Sequence, residues 1–257
     1  MRRIWTRQEL MLAYNGYCKI PYGRFNNRSS EVKELAELIG RSPGAIAFKL
    51  VNFVSLDPKQ KELGRKGATN IGKLDKQIFQ EFQEDFDKMY LESEKLLEQR
   101  IKENIIVKDN KQEILNLNTN KEGETVSRVI KSRKNQDYFR KLVLTNYSNE
   151  CAITGIKIPS LLIASHIKPW SIDKKNRLNP HNGLCLSATF DKAFDRGLIT
   201  LDKDYKIIFS IKLKSYSNEI FYRDVFEGFE NKQIKLPVKF LPKLLFIDYH
   251  QNEIFKG

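Results

Sequence analysis

His166 lies near the end of an apolar, partly β-branched run from Leu161 to Ile167, and downstream of it Asp191 and Asp195 stand four residues apart. On a helix that spacing is one face, so the two carboxylates would project together. An imidazole facing a pair of carboxylates has a definite use. The ring can deprotonate a water, and the carboxylates can hold a cation against the charge that builds on a phosphate and its leaving oxygen, which is what phosphodiester hydrolysis at neutral pH requires. Oxygen ligands favour a hard ion, which puts Mg²⁺ or Mn²⁺ ahead of Zn²⁺. Taken singly, a strand His is more often a hydrogen-bonded core residue, and an Asp pair at helical spacing is usually solvated. Their combination in one stretch is what points to a site.

The elements that must position these groups can be read around them. Leu161 to Ile167 has the pattern of a short buried strand and Leu184 to Leu186 that of a second. Between them runs a turn-rich basic loop with Pro169, Trp170, Lys174, Lys175, Arg177 and Pro180. Ser187 can cap a helix, Ala188 to Asp195 can form two turns, and Gly197 suits a left-handed C-cap. A hairpin followed by a short helix results, with Lys168 and Arg177 placed as candidate phosphate clamps.

The segments Cys151-Ala152-Ile153-Thr154-Gly155, Ala164-Ser165-His166-Ile167-Lys168-Pro169-Trp170, Asn179-Pro180-His181-Asn182-Gly183-Leu184 and Asp191-Lys192-Ala193-Phe194-Asp195-Arg196-Gly197 together resemble the HNH, or ββα-metal, nuclease superfamily. The likeness is closest to the branch found in predicted prokaryotic restriction endonucleases. It implies that His166 is the general base and that Asn182 braces the loop and the base. It also implies metal ligands nine and thirteen residues beyond that Asn, at Asp191 and Asp195. Two departures stand out. Ser165 occupies the place before the base where many members carry another ligand, and Thr154 stands where a zinc knuckle would have its second Cys. With only three cysteines in the chain, a structural four-Cys zinc site is not expected. The basic stretch Arg128 to Lys141 is similar to the helix that precedes the hairpin in this branch. Arg133 and Arg140 are its candidate DNA contacts, and a solvated basic face is the alternative.

Composition sets the frame. The chain has 257 residues, enough for one large or two ordinary domains, and its 45 Lys and Arg against 32 Asp and Glu give a formal charge of +13. A polyanionic partner follows naturally. Cys18, Cys151 and Cys185 are too dispersed for a disulfide framework. No apolar run approaches membrane-spanning length and no secretory core opens the chain, so the expectation is a soluble, cytoplasmic protein without a membrane partner.

Toward the N-terminus, Thr6 and Glu9 form a capping-box pattern before a first helix, and a second apolar face ends at Gly40. Ser42 and Pro43 then start a third helix. The pair around Gly40-Arg41-Ser42 is a helix-turn-helix candidate similar to Myb-like three-helix domains, with Arg41, Gly44, Phe48, Lys49 and Asn52 expected on the exposed, DNA-reading face. A helical packing module is the alternative. Lys59 to Lys73 reads as a basic loop, and Phe79 to Leu97 as one long helix with an acidic outer face. Its apolar stripe either packs on the first three helices or forms a homodimer seam. Beyond the hairpin and helix, Leu198–Leu201 and Tyr205–Ser210 read as a second hairpin extending that unit with a sheet, and His250 as structural.

The expected fold is α+β, with a helical helix-turn-helix DNA-recognition domain over 1–101, a linker over 102–127, and a ββα-metal HNH nuclease domain with additional strands over 128–257. The expected function is a metal-dependent endonuclease on duplex DNA, directed by sequence or base modification. The alternative is a non-catalytic DNA-binding regulator on a degenerate HNH scaffold. An RNA-directed nuclease is a third reading, which the helix-turn-helix disfavours.

Overall fold

A computed structural model describes residues 3–65, 67, 68, 71–109 and 124–257, with the backbone alone at 105–109 and 124–133. The chain divides into two compact units, Met1–Tyr138 and Phe139–Gly257, and the division falls inside a helix.

The first unit is helical: α1 (Arg7–Lys19), α2 (Ser30–Ile39), α3 (Pro43–Leu56), α4 (Pro58–Glu62), α5 (Lys73–Glu84), α6 (Phe86–Asp109) and the first part of α7 (Glu124–Asn146). The capping box at α1 is formed in full, with Thr6 accepting from the Glu9 N–H and Glu9 accepting from the Thr6 N–H. Gly40 ends α2 with φ 72°, and Ser42 caps α3 ahead of Pro43. Tyr14 centres the core, its ring 4.2 Å from Phe82 and 5.0 Å from Phe53.

Four expectations for this unit are corrected. The single long helix is two, broken at Asp85, whose extended backbone (φ −142°) and side-chain bond to the Lys88 N–H start α6 afresh. Ile78, Phe82, Phe86, Met89 and Tyr90 are buried within the unit, so this part of the apolar stripe serves internal packing. Glu94 is not on an open acidic face but buried, bonded to Asn15 and paired with Lys19. The basic loop also holds a helix, α4, started by Asp57 accepting from the Lys59 N–H at 2.9 Å. The stretch expected as linker is helical to Asp109 and again from Glu124, while 110–123 lie outside the described residues.

In the second unit β1 (Leu162–His166) pairs antiparallel with β2 (Gly183–Ser187), Leu162 opposite Ser187 and His166 opposite Gly183. Next comes α8 (Ala188–Asp195), started by Ser187, then β3 (Ile199–Leu201) paired antiparallel with β4 (Ile207–Phe209). The second hairpin adds a sheet of its own after α8. The remainder is α9 (Ile211–Lys214), α10 (Ile220–Val225) and α11 (Leu244–Glu253). Phe246, Ile247 and His250 bury the inner face of α11, and His250 stacks on Phe194 of α8 at 3.6 Å. Among the described residues no helix is long and apolar enough to cross a membrane.

Candidate functional site

The hairpin and α8 carry the residues singled out by chemistry. Successive side chains of a strand point to opposite faces, so Ser165 and His166 diverge at the end of β1. His166 turns toward α7, where the Phe139 ring stacks on it at 3.6 Å and 11°. Space for that ring exists because Gly183 stands opposite: a Cβ there would come within 3.0 Å of Phe139 and 2.5 Å of Val143. Trp170 meets the imidazole edge-on at 5.4 Å.

His166 Nε2 lies 2.9 Å from the Arg177 carbonyl oxygen. A carbonyl can only accept, so Nε2 carries the proton and Nδ1 keeps its lone pair. Burial pushes the ring pKa down to about 4, outweighing the carbonyl bond that favours the charged form, and the imidazole is therefore neutral at physiological pH.

Asn182 is fully buried and ties the loop at both ends. Its Oδ1 accepts from the Lys168 N–H at 2.8 Å, and its Nδ2 donates to the Lys168 carbonyl at 2.9 Å and the Asn176 carbonyl at 3.3 Å. The hairpin pairing thereby continues past the strands, with the Ile167 N–H bonded to the Asn182 carbonyl.

From Ser187, opposite the start of β1, α8 doubles back along the hairpin, since Asp191 comes beside Ser165 near the far end. One turn on, Asp195 is carried roughly 5.4 Å further in the same direction. Burial raises the Asp191 pKa, partly offset by the Ser165 hydroxyl, and burial followed by the charge of Asp191 raises that of Asp195. Two partly buried carboxylates, the charge of Asp191 disfavouring that of Asp195, beside a buried Ser165 Oγ with no well-formed hydrogen bond among the described residues, are a donor set that a cation would relieve. The residues present thus fit a divalent ion. No group of three or more His, Cys, Asp and Glu side chains gathers among the described residues, so the ion would take few protein ligands.

The expected DNA contacts fare unevenly. Lys168 lies over the Tyr249 ring at 4.5 Å, and Arg177 donates from Nε to the Trp170 carbonyl while lying over that residue's ring at 5.0 Å. Arg140 commits its guanidinium to the carbonyls of Leu162 and Pro159, at 2.6 and 2.9 Å, and so fastens the start of β1. The Arg133 side chain lies outside the described residues. Lys49 and Asn52 are not on an exposed face of α3: both are buried, bonded to Asp75 of α5. Arg41 is held by Glu9 and by the carbonyls of Arg3 and Ile4. Sequence reasoning missed Phe139 as the wall behind His166. The signal for it was a glycine in register with the candidate base.

Cys151 also has a structural task, its Sγ accepting from the N–H groups of Thr154 at 3.4 Å and Ser187 at 3.1 Å. Cys185 beside it is pushed up to about 12 by burial and is an inert thiol. No curated protein matches the chain significantly. Residues 151–202 match the HNH_2 family, described as HNH endonuclease, so the second unit carries a domain of the HNH nuclease type.

Proposed function

We propose that the chain is a divalent-metal-dependent HNH endonuclease that hydrolyses phosphodiester bonds in duplex DNA, in a restriction-type role directed by sequence or base modification. The observation that carries this reading is a neutral, oriented imidazole at His166 inside the segment matched to HNH endonucleases. His166 takes a proton from the attacking water at Nδ1 while the Arg177 carbonyl holds Nε2–H. Asn182 keeps that loop, and with it the ring, in place. Asp191 and Asp195 are the residues that would hold Mg²⁺ or Mn²⁺, which when bound supplies Lewis-acid stabilisation of charge on the scissile phosphate. Lys168 and Arg177 meet neighbouring phosphates from the loop.

On this reading 1–101 is the recognition domain, with α2 and α3 as its helix-turn-helix, 102–127 the linker and 128–257 the nuclease domain. Arg41 and Lys49, paired with Glu9 and Asp75, then hold that domain together instead of reading bases directly. The second reading, a non-catalytic DNA-binding regulator, draws on Ser165 in a ligand position and on the small carboxylate set.

The test is incubation of the protein and its His166→Ala variant with modified and unmodified genomic DNAs in Mg²⁺, Mn²⁺ or EDTA. The wild type should give discrete metal-dependent fragments, and the variant should lose roughly 10²-fold or more of the rate while still binding DNA. Substantial cutting by the variant would remove His166 as base. No cutting at all, with salt-sensitive binding, would establish the regulator instead.

A further inference from the structure

The first unit contains a cleft between α3 and α5 for which the nuclease chemistry has no use. It encloses about 890 Å³, in the range of small-molecule sites. One wall is Trp5, fixed by the Arg41 guanidinium at 4.6 Å and the Lys49 ammonium at 4.9 Å over its ring. At depth lies Asp75, 2% exposed, with both oxygens 2.9 Å from Lys49 Nζ and one 3.1 Å from Asn52 Nδ2. Phe48 also lines the cleft yet is 52% exposed. One helical turn before it, Gly44 has nothing within 4 Å of where a Cβ would stand, which leaves the approach open.

Asn52 is 2% exposed and lines the cleft, but its Oδ1 has no hydrogen-bond partner among the described residues. A buried acceptor left bare costs about 1–3 kcal/mol, which a ligand donating an N–H would recover. Lys49 and Asp75 neutralise each other, and Arg41 is engaged by Glu9 and two carbonyls, so the depth of the cleft presents little unbalanced charge to an anion. What it offers is an accessible ring face near the mouth and a single acceptor inside. The complement is a planar, neutral heteroaromatic group with an N–H on its edge. For a chain of charge +13 that carries an HNH segment, that chemistry is a nucleobase out of its stack.

We infer that this cleft receives one unpaired nucleobase, its ring on Phe48 and an edge N–H donated to Asn52 Oδ1, either as a nucleotide unit of a DNA strand or as a free nucleotide. The inference rests on nucleic acid being what the proposed nuclease acts on, but not on cleavage.

The experiment uses the full chain in EDTA. Three probes carry the fluorescent base 2-aminopurine: a duplex with that base bulged, the same duplex with it paired, and the free deoxynucleoside monophosphate. Binding the bulged duplex roughly 5- to 100-fold more tightly than the paired one, the span expected of one base–aromatic stack, supports a unit of the strand. Saturable binding of the monophosphate supports the free nucleotide. Either signal should disappear in Phe48→Ala, an exposed position where truncation leaves folding intact: the ratio of bulged to paired affinity falls to about one, and the monophosphate no longer binds saturably. Neither signal in the wild type, or a signal that survives Phe48→Ala, overturns the inference. Because EDTA suppresses metal-dependent cutting, a base preference without nuclease activity in Mg²⁺, or activity without the preference, shows which of the two readings has failed.

Discussion

Asn182 makes three hydrogen bonds from a fully buried amide, and all three go to the backbone of the loop that carries the partner of His166. Its effect on chemistry therefore passes through position: it touches neither the imidazole nor the carboxylates by any described bond, but it fixes where the Arg177 carbonyl sits. Asn182→Ala strands one N–H and two carbonyls, at a cost of roughly 2–4 kcal/mol. Asn182→Asp should be worse at neutral pH, because a carboxylate would face the Lys168 and Asn176 carbonyls that now accept from Nδ2. Both variants should lose on the order of 10²-fold in cleavage rate through misplacement of the base. Thermal melts read beside cleavage rates check this, and an Asn182→Ala protein that melts and cuts like the wild type would show that the loop holds itself.

At the scale of elements, α8 is fastened at its C-terminus. Its C-terminus closes with the Leu198 N–H on the Ala193 carbonyl and the Gly197 N–H on the Phe194 carbonyl, which requires the left-handed φ of 68° at Gly197. A Cβ at that position would also stand 2.0 Å from the Ile254 carbonyl oxygen beyond α11. Gly197→Ala should therefore destabilise the second unit by more than the ~1–2 kcal/mol of left-handed strain alone, measured as a fall in the denaturation midpoint. A midpoint within error of the wild type would mean that the α11 end yields freely. This turn was legible in the sequence, as were the hairpin around the loop, the Thr6 capping box and the Ser42-Pro43 start, because each is written in a few adjacent residues. The break at Asp85 and the short helices α9 and α10 were not, since they are too brief to show a period. Nor could α3 reveal that Lys49 and Asn52 turn inward: a helical wheel shows which residues share a face, but Asp75, which claims both, lies 26 and 23 residues away.

For the whole molecule, all three histidines lie in the second unit, and burial lowers His166, His181 and His250 alike to about 4. Unfolded, each would titrate near 6.5. Between about 6.5 and 4 the unfolded chain binds protons that the native chain does not, so the stability these rings contribute is complete above about 6.5 and falls with the pH. Asp191 and Asp195 act in the opposite sense, because their raised pKa values let the native state take up protons sooner, and they offset part of the loss. Burial pushes the Glu9 carboxyl in the first unit upward, but the hydrogen bonds from Arg41 and Thr6 and the charges of Arg41 and Arg3 together hold it below its ordinary value near 4.5, so its contribution is lost only at more acidic pH. The second unit should therefore be the first to melt as pH falls from 7.5 to 4.5, which calorimetry of the full chain would resolve. His250 is the cleanest handle: it is 1% exposed, bonded to Thr200 and the Phe194 carbonyl, and takes no part in the proposed proton transfer. His250→Gln should lower stability at pH 7.5 yet remove one proton from the linkage, making the fall shallower by about 1.4 kcal/mol per pH unit in that window. If the variant and the wild type lost stability with the same slope, His250 would have to be charged in the native protein, and its bond to the Phe194 carbonyl would not hold it neutral.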